Sequence, residues 1–174
     1  LAWQRRSGFC ARCGGAAALV HAGHARKCGG GCGGLTFPRQ DPAIIVAVQS
    51  ADRGSLLLAR SRRHPPRLHT ALAGFVEVGE AFEDAVAREV FEETGVRIDA
   101  GSVTFVGSQP WPFPQSTMLG FRATAAADTG ALVVDTEELV EASWFDRATV
   151  AAATAASGPT GDPRKAEVAA AIDP

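Results

Sequence analysis

The stretch between Gly74 and Val96 constrains the fold of this chain more than any other part of the sequence. It contains the clearest predicted helix, residues 80–94, followed by Gly95 at a position where a left-handed residue commonly ends a helix. Two glycines, Gly74 and Gly79, frame a loop that leads directly into this helix. The apolar residues expected to face the core recur at helical spacing, and they are Phe82, Val86, Val90 and Phe91. The sequence therefore predicts a loop, a helix and a sharp helix end in immediate succession.

Three glutamates of this helix, Glu89, Glu92 and Glu93, stand at positions i, i+3 and i+4. Because a helix turns once in about 3.6 residues, their carboxylates share one face and repel one another. A bound Mg²⁺ or Mn²⁺ removes this conflict, since hard cations take carboxylate oxygens and keep positions open for phosphate oxygens. The alternative is a solvated acidic face on which Arg88 pairs with Glu92 at i+4. The spacing by itself leaves both interpretations open.

The sequence on either side of this helix predicts strands. Residues 43–48 and 55–60 are strand-like runs separated by the turn signal Asp52-Arg53-Gly54, which indicates a hairpin. Further strands are expected at residues 102–106, 118–124 and 141–145, and a shorter helix at residues 147–155. Residues 163–171 are compatible either with a last helix or with a low-complexity end. Strands on both sides of a helix favour an α/β fold with a mixed sheet.

All four cysteines of the chain lie in two short motifs near its start: Cys10 and Cys13, then Cys28 and Cys32. This spacing is typical of a zinc ribbon, and the segment has too few apolar side chains to fold without a staple, so the metal is expected to be structural Zn²⁺. Disulfides are the alternative, although they are uncommon in cytosolic proteins. The second motif has three glycines between its cysteines where two residues are usual, and His21 or His24 are conceivable substitute ligands.

Charge argues against non-specific nucleic-acid binding, and hydropathy argues against a membrane-spanning protein. The net charge of -2 gives no global positive field for non-specific nucleic-acid binding. The longest apolar runs, residues 43–48 and 56–59, are far shorter than the roughly 20 residues of a membrane-spanning helix, so we expect a cytoplasmic protein. One local basic cluster is either solvated surface or a site that attracts anions, and it comprises Arg60, Arg62, Arg63 and Arg67.

Residues 74–96 match GxxxxxGluxxxxxxxArgGluUxGluGluxGlyU at every fixed position, where U is aliphatic, and in this they resemble the Nudix hydrolases. The resemblance implies a metal-dependent hydrolase with an α/β/α sandwich and a mixed sheet. It implies that Glu89 and Glu93 bind the metal, and that Glu92 is a ligand or helps to activate water. Glu80 is expected to pair with Arg88 and brace the loop. No covalent intermediate is needed for this chemistry.

A second motif, residues 108–116, reads SerGlnProTrpProPheProGlnSer. Alternating prolines stiffen the backbone, so the segment is either a rigid polyproline-type loop or a rigid display of aromatic rings for stacking. Together with the Nudix motif, the four cysteines and Phe37-Pro38-Arg39-Gln40-Asp41-Pro42, it resembles the NADH pyrophosphatase (NAD⁺ diphosphatase) family. Members of that family split NAD(H) into nicotinamide mononucleotide and AMP, and bacterial members also remove NAD caps from RNA.

Several site residues follow from this second resemblance alone. Phe37 and Phe75 are expected to stack on a ring of the dinucleotide, and in the homodimers of this family the two aromatics can come from different subunits. Glu141 and the backbone carbonyl of Ala73 are expected to be further ligands of the catalytic metal. The complete set of residues expected to bind substrate is Phe37, Phe75, Gln109, Pro110, Trp111, Pro112, Phe113, Pro114, Gln115 and Ser116.

The expected organisation is a zinc ribbon at residues 1–36 followed by a catalytic domain at residues 37–174. Three features are expected to differ from the family pattern. The sequence is expected to lack the family's additional N-terminal domain, the second cysteine motif is one residue longer, and the family's C-terminal ProProxSerIleAlaArg-like segment is not clear in residues 157–174. Two alternative functions stay open: hydrolysis of ADP-ribose or another nucleoside diphosphate derivative, and RNA binding without catalysis.

Overall fold

The computed structural model of the chain describes residues 2–156. Within that range the chain forms two compact units. The first contains the residues up to Asp41 together with Trp111–Ser116, and the second contains Pro42–Pro110 and the residues from Thr117 onward. Residues 163–171, considered above as a last helix or a low-complexity end, lie outside the described residues. The same holds for residues 157–174, where the family's ProProxSerIleAlaArg-like segment was sought.

The first unit is built from one short helix and three short strands: α1 (Ala2–Arg6), β1 (Ala17–Val20), β2 (Ala25–Cys28) and β3 (Leu35–Thr36). The strands form an antiparallel sheet in the order β1-β2-β3. Arg26 of β2 donates hydrogen bonds to the carbonyl oxygens of Ala17 and Gln4, which fastens α1 to the sheet. With so few buried side chains, the unit depends strongly on such polar contacts and on its cysteines.

The larger sheet has six strands: β4 (Asp41–Gln49), β5 (Ser55–Ser61), β6 (Leu72–Phe75), β7 (Thr104–Trp111), β8 (Ser116–Thr124) and β9 (Leu139–Asp146). Its order is β7-β8-β4-β5-β9, and β6 pairs with the first half of β4. All five strands expected from the sequence are present. The main difference is β7, which begins later than expected and continues to Trp111.

The expected hairpin joins β4 and β5. Their antiparallel register pairs Val48 with Leu57. In the turn, the Asp52 carboxylate accepts a hydrogen bond from the Ser50 hydroxyl at 2.5 Å and from the Gly54 amide at 2.9 Å. This Asx-type turn is the physical basis of the sequence signal.

Helix α2 (Phe82–Thr94) carries the three glutamates. Gly95 ends it in the left-handed region with φ 69°, and its N–H donates to the carbonyl of Phe91 at 2.7 Å. Val86 and Val90 are fully buried, as expected. Phe82 and Phe91, expected in the core, are 41% and 54% exposed. Phe91 lies about 100° further round the helix than Val90, so the two cannot both face the sheet.

The two faces of the sheet are covered by different helices. Leu57 of β5 belongs to the core cluster that includes Val86 and Val90 of α2. Its neighbour Leu56 points to the other face, where it lines a small cavity with Val150 of helix α3 (Arg147–Ala156). The α/β class and the sandwich of helix, sheet and helix are therefore confirmed.

Among residues 2–156, none of the helices combines the length and the apolar character required to cross a membrane.

Candidate functional site

Arg88 holds the loop before α2 against the helix. Its Nε and Nη2 donate to the two carboxylate oxygens of Glu80 at 2.7 and 2.9 Å, and Nη2 also donates to the carbonyl of Phe75 at 2.9 Å. Glu80 additionally accepts the backbone N–H of Glu77 at 2.9 Å. The hydrogen bonds from Arg88 and then from Glu77 lower the pKa of Glu80 to about 2. The structure thus brings Glu80 and Arg88 together as a two-pronged ion pair of the kind that is geometrically most specific.

Arg88 also contacts two of the three helix glutamates. Its Nη1 donates to Glu89 at 2.8 Å and to Glu92 at 3.1 Å. The pair with Glu92 that would account for a solvated acidic face is therefore present. However, the single positive charge of Arg88 is shared by the carboxylates of Glu80, Glu89 and Glu92. Two of their three negative charges therefore remain uncompensated, even without Glu93. The arrangement retains an excess of negative charge that suits a cation.

Glu89 lies directly against the backbone of Gly74. Strand β6 holds Gly74 in register with Ile44 of β4. A Cβ atom at position 74 would lie only 1.9 Å from the carboxyl carbon of Glu89. Glycine is therefore required here to make room for the carboxylate. Burial raises the pKa of Glu89, although the hydrogen bond from Arg88 opposes this shift.

Glu93 is the most deeply buried acidic side chain of the helix. It is 7% exposed, and its Oε2 is buried without a hydrogen-bond partner among the described residues. Burial first, and then the negative charges of Glu89 and Glu138, raise its pKa to about 8. An unpartnered buried carboxylate is destabilising unless a cation or a proton compensates it. The chemistry of this donor set therefore fits a divalent cation.

Glu93 lines a pocket of about 490 Å³. Ala73 lies on one side of it, directly before Gly74. Glu137 and Glu138, from the segment before β9, add two further carboxylates. Residues 62–64, from the segment after β5, complete the lining with basic side chains. The pocket thus combines acidic and basic groups, and its volume lies within the roughly 300–1,000 Å³ range of small-molecule sites.

Glu138 lines this pocket, whereas the family resemblance assigns a further metal-binding role to Glu141. Glu141 is paired elsewhere, with Arg60 Nε at 2.9 Å and with His69 Nε2 at 3.2 Å. In the register of β5 and β9, Glu141 is paired with Arg60, and the neighbouring pair Ala59 and Ala142 belongs to the core cluster with α2, so Glu141 lies on the opposite face of the sheet. Glu138 was not predicted from the sequence. The available signal was the acidic run at positions 135, 137 and 138 just before β9.

The proline-aromatic motif divides between a strand and a turn. Gln109, Pro110 and Trp111 end β7, and Ser116 begins β8. Phe113 is 72% exposed, and its ring meets that of Trp111 edge to face at 5.9 Å between centroids. At the other end of the turn, Gln115 is fixed by Asp41, because its carbonyl accepts the Asp41 N–H at 2.9 Å and its Nε2 donates to the carboxylate at 3.2 Å. Pro112 and Pro114 are exposed between them.

Phe37 and Phe75, the two aromatics expected to stack on a ring, are both exposed. Phe37 follows β3 in the first unit, and 59% of its surface is accessible. Phe75 ends β6 in the second unit and is 62% accessible. Each ring is therefore accessible for stacking on a planar group.

The four cysteines form a second candidate metal site. Their Sγ atoms all lie within 4.8 Å of one another, and the closest pairs are 3.4 to 3.6 Å apart. Tetrahedral zinc with bonds of about 2.3 Å requires sulfurs about 3.8 Å apart, whereas a disulfide requires about 2.0 Å. The geometry therefore fits a metal and not a disulfide. Neither His21 nor His24 joins this group within the described part of the chain.

Glycines allow the two cysteine loops to approach closely. A Cβ on Gly15 would lie 2.6 Å from the Cα of Gly30, so the loops pack backbone to backbone. Gly31 adopts φ 97°, which absorbs the extra residue of the second motif. Hydrogen bonds from the backbone N–H groups of Arg12 and then Cys13 lower the pKa of Cys10 to about 7, which favours the thiolate that binds metal.

Several known proteins are similar to this chain. It is 42% identical over 154 residues to the NAD-capped RNA hydrolase NUDT12 of Homo sapiens, a match that covers 84% of this chain and 32% of the relative. It is 48% identical over 138 residues to the NAD-capped RNA hydrolase NudC of Vibrio atlanticus, covering 79% and 49%. The chain therefore spans between a third and a half of the length of these relatives.

The fold is also found in solved structures. A NUDIX hydrolase from Nitrosomonas europaea aligns with a TM-score of 0.61 at 22% identity, covering 81% of this chain and 78% of that one. A MutT/nudix family protein from Enterococcus faecalis aligns with a TM-score of 0.54 at 22% identity, covering 64% and 45%. The NUDIX domain family matches residues 38–164. Because this match includes most of the chain and the whole carboxylate helix, the chain belongs to the NUDIX domain family.

Proposed function

We propose that this chain hydrolyses the phosphoanhydride of NADH and NAD⁺, giving nicotinamide mononucleotide and AMP, with Mg²⁺ or Mn²⁺ as the catalytic cofactor. The observation that carries the hydrolytic part is the buried, unpartnered carboxylate of Glu93 beside Glu89 and Glu138. Relatives named as NAD-capped RNA hydrolases support the substrate. For the same reason we extend the proposal to removal of NAD caps from RNA.

The proposed metal ligands are Glu89, Glu93 and Glu138, with the backbone carbonyl of Ala73. Glu92 is 58% exposed at its side chain and is proposed either as a further ligand or to orient the attacking water. When bound, a divalent cation supplies stabilisation of charge on the phosphate oxygens and a bound water of lowered pKa. Arg88 fixes the position of Glu89 through its 2.8 Å hydrogen bond. Glu141, whose carboxylate is paired with Arg60, stays a proposal as a further metal ligand.

Recognition of the dinucleotide is assigned to the exposed aromatics and to the proline-aromatic motif. The rigid turn between β7 and β8 presents Phe113, and Asp41 fixes the turn through Gln115. Stacking on a planar ring needs an exposed aromatic face held on a stiff backbone, which this turn supplies. The stacking role of Phe37 and Phe75 stays a prediction, and so does the contribution of each remaining motif residue.

The four cysteines are proposed to bind one structural Zn²⁺. Sulfur separations of 3.4 to 3.6 Å support this assignment. A boundary between ribbon and catalytic domain near residues 36 and 37 belongs to the same proposal. The homodimer and the cytoplasmic location expected from the sequence stay predictions.

The test of the proposed activity is incubation of the chain with NADH and Mn²⁺, followed by chromatography for AMP and reduced nicotinamide mononucleotide. Glu93→Gln should lower kcat by at least about a hundredfold, because the amide cannot supply an anionic ligand. The matched control is Glu83→Gln, which removes an exposed carboxylate from the first turn of the same helix and should leave turnover unchanged. Absence of product, or equal turnover in both variants, would contradict the proposal.

The same assay separates the alternative functions. A clear preference for ADP-ribose over NADH in direct competition would replace the dinucleotide substrate while keeping the hydrolytic site. Binding of RNA without metal and without turnover would favour a non-catalytic binding protein. Parallel rates on NADH, NAD⁺ and NAD-capped RNA identify the preferred substrate among those proposed.

A further inference from the structure

The pocket lined by Glu93 has a basic side that the proposed metal site does not use. Residues 62–64, Arg-Arg-His, follow β5 and line the pocket together with Glu93, Glu137 and Glu138. Arg62 and Arg63 belong to the cluster of four arginines that the sequence left open as either solvated surface or an anion site. Its position in the same pocket as the carboxylates distinguishes it from an ordinary surface patch.

Arg62 is committed to holding the acidic segment before β9. Its Nε donates to the carbonyl of Thr136 at 3.0 Å, and its backbone N–H donates to the carbonyl of Glu138 at 3.4 Å. A second guanidinium nitrogen, Nη2, also donates to Thr136. Arg62 is therefore a positioning residue for Glu138, and its guanidinium is largely occupied.

Arg63 differs from Arg62. It shares the pocket with three carboxylates, yet within residues 2–156 no ion pair joins its guanidinium to any of them. Its backbone N–H is directed to the Ser61 hydroxyl at 3.4 Å, which orders the turn without using the side chain. The neighbouring His64 has a buried Nδ1 that also lacks a partner in the described part of the chain. This side of the pocket thus presents a guanidinium, that of Arg63, which pairs with none of the described carboxylates that line the pocket.

We propose that Arg63 binds a phosphate group of the diphosphate substrate in this pocket. This inference rests on the proposed function and names the group that holds the substrate against the metal site. When divalent cations compensate the carboxylates, an adjacent guanidinium has no acidic partner to prefer over the anionic substrate. A guanidinium also matches two phosphate oxygens at once, which orients the phosphate in a way that a point charge does not.

Equilibrium binding of methylenediphosphonate, a non-hydrolysable diphosphate, tests this inference on the full chain in Mg²⁺. Calorimetric titration should show a Kd raised by about tenfold to a hundredfold in Arg63→Ala, the range expected for loss of a charge-assisted hydrogen bond. Arg63→Lys should be intermediate, because it retains the charge but loses the two-pronged geometry. The control is Arg122→Ala, which removes a positive charge from an exposed position on β8 outside the pocket, and its Kd should match the wild type. Thermal melting of each variant checks that the fold is retained.

A second titration uses a short uncapped RNA with a 5′-hydroxyl end, in order to separate substrate diphosphate from RNA backbone. If Arg63→Ala weakens RNA binding but leaves methylenediphosphonate binding unchanged, the residue contacts the RNA chain and the inference is overturned. Unchanged binding of both ligands overturns it as well. If Arg63 controls diphosphate affinity but NADH is not hydrolysed, the proposed function fails while the subsite stands. The two failures are thus distinguishable.

Discussion

At the scale of single residues, the candidate site contains a carboxyl group, that of Glu93, which the fold buries away from water. Glu93 is buried with one carboxylate oxygen unpartnered, and its pKa is raised to about 8. Near neutral pH, without a cation, this side chain is therefore mostly protonated. Metal binding then has to displace that proton, so cation affinity should increase with pH as it does for other carboxylate and thiolate sites.

Gly74→Ala tests how closely the carboxylate of Glu89 is fitted to β6. The added methyl group would lie 1.9 Å from the carboxyl carbon of Glu89, so either the side chain or the strand must move. We expect a loss of stability of about 1–3 kcal/mol, typical of overpacking, and a fall in kcat/KM of at least about tenfold. Denaturant unfolding and steady-state NADH hydrolysis measure the two effects. Gly107→Ala is the control, because a Cβ there meets no atom within 4 Å. Equal stability and equal kcat/KM in the two variants would show that Glu89 does not need a glycine at position 74.

Residue spacing predicts that the carboxylates of the three helix glutamates lie close together, because all three belong to one helix. It does not predict Glu138, which belongs to a distant segment and reaches the pocket only through the pairing of β9 with β5. The assignment of Glu141 depends on the family resemblance and stays a prediction, because the sequence alone does not show which face of β9 meets the helix glutamates. The sequence shows Arg63 as one of four clustered arginines, but it does not show that Arg63 lines the same pocket as Glu93.

At the scale of elements, the loop before α2 and the helix behave as one unit through Glu80 and Arg88. Their two-pronged ion pair is 14% and 23% exposed at the side chains, and it also involves the Glu77 amide and the Phe75 carbonyl. Helix α2 begins at Phe82, two residues later than the sequence predicted, and Glu80 lies in the preceding loop, where it is bonded to Arg88. The pair is thus a structural link between β6 and the catalytic helix.

A double-mutant cycle on Glu80→Gln and Arg88→Met measures this link. The coupling free energy of unfolding should be roughly 1–3 kcal/mol, as expected for a largely buried charge-assisted pair. The exposed pair Arg97 and Asp128, 55% and 78% accessible, is the control, and its cycle should give less than about 0.5 kcal/mol. Urea unfolding of the single and double variants supplies both values. If the coupling free energy of Glu80 and Arg88 is no larger than that of the control pair, their ion pair contributes little to the free energy of unfolding.

Helical periodicity explains why the sequence indicated the buried face of α2 only in part. Val86 and Val90 were placed in the core correctly, whereas Phe82 and Phe91 are 41% and 54% exposed. Periodicity identifies residues that share a face, but it does not show how far around the helix the covering layer extends. The exposed rings lie outside the contact with the sheet, and a polar residue, Glu93, takes a buried position instead.

The molecule as a whole combines two units with different sources of stability. The second unit has a core of aliphatic side chains from the sheet and α2. The first has a three-stranded sheet of two to four residues per strand, and its buried residues include Cys10 and Cys28. With so little apolar burial, the unit would gain a large part of its folding free energy from the Zn²⁺ proposed for its four cysteines. Composition predicts that the glycine-rich cysteine segment lacks a core of its own, and the domain boundary at residues 36 and 37 stays a prediction.

Zinc removal should therefore unfold the first unit selectively. We expect one zinc per chain by elemental analysis, and loss of zinc in Cys13→Ser, because three thiolates bind the ion more weakly than four. Hydrogen exchange should then show lost protection in β1 and β2, with α2 and β4 protected as in the wild type. His24→Ala is the matched control, since His24 lies outside the cysteine group, and it should retain its zinc. Full zinc occupancy in Cys13→Ser, or zinc loss in His24→Ala, would contradict the four-cysteine site. Unchanged exchange after zinc removal would show that the ribbon folds without the ion.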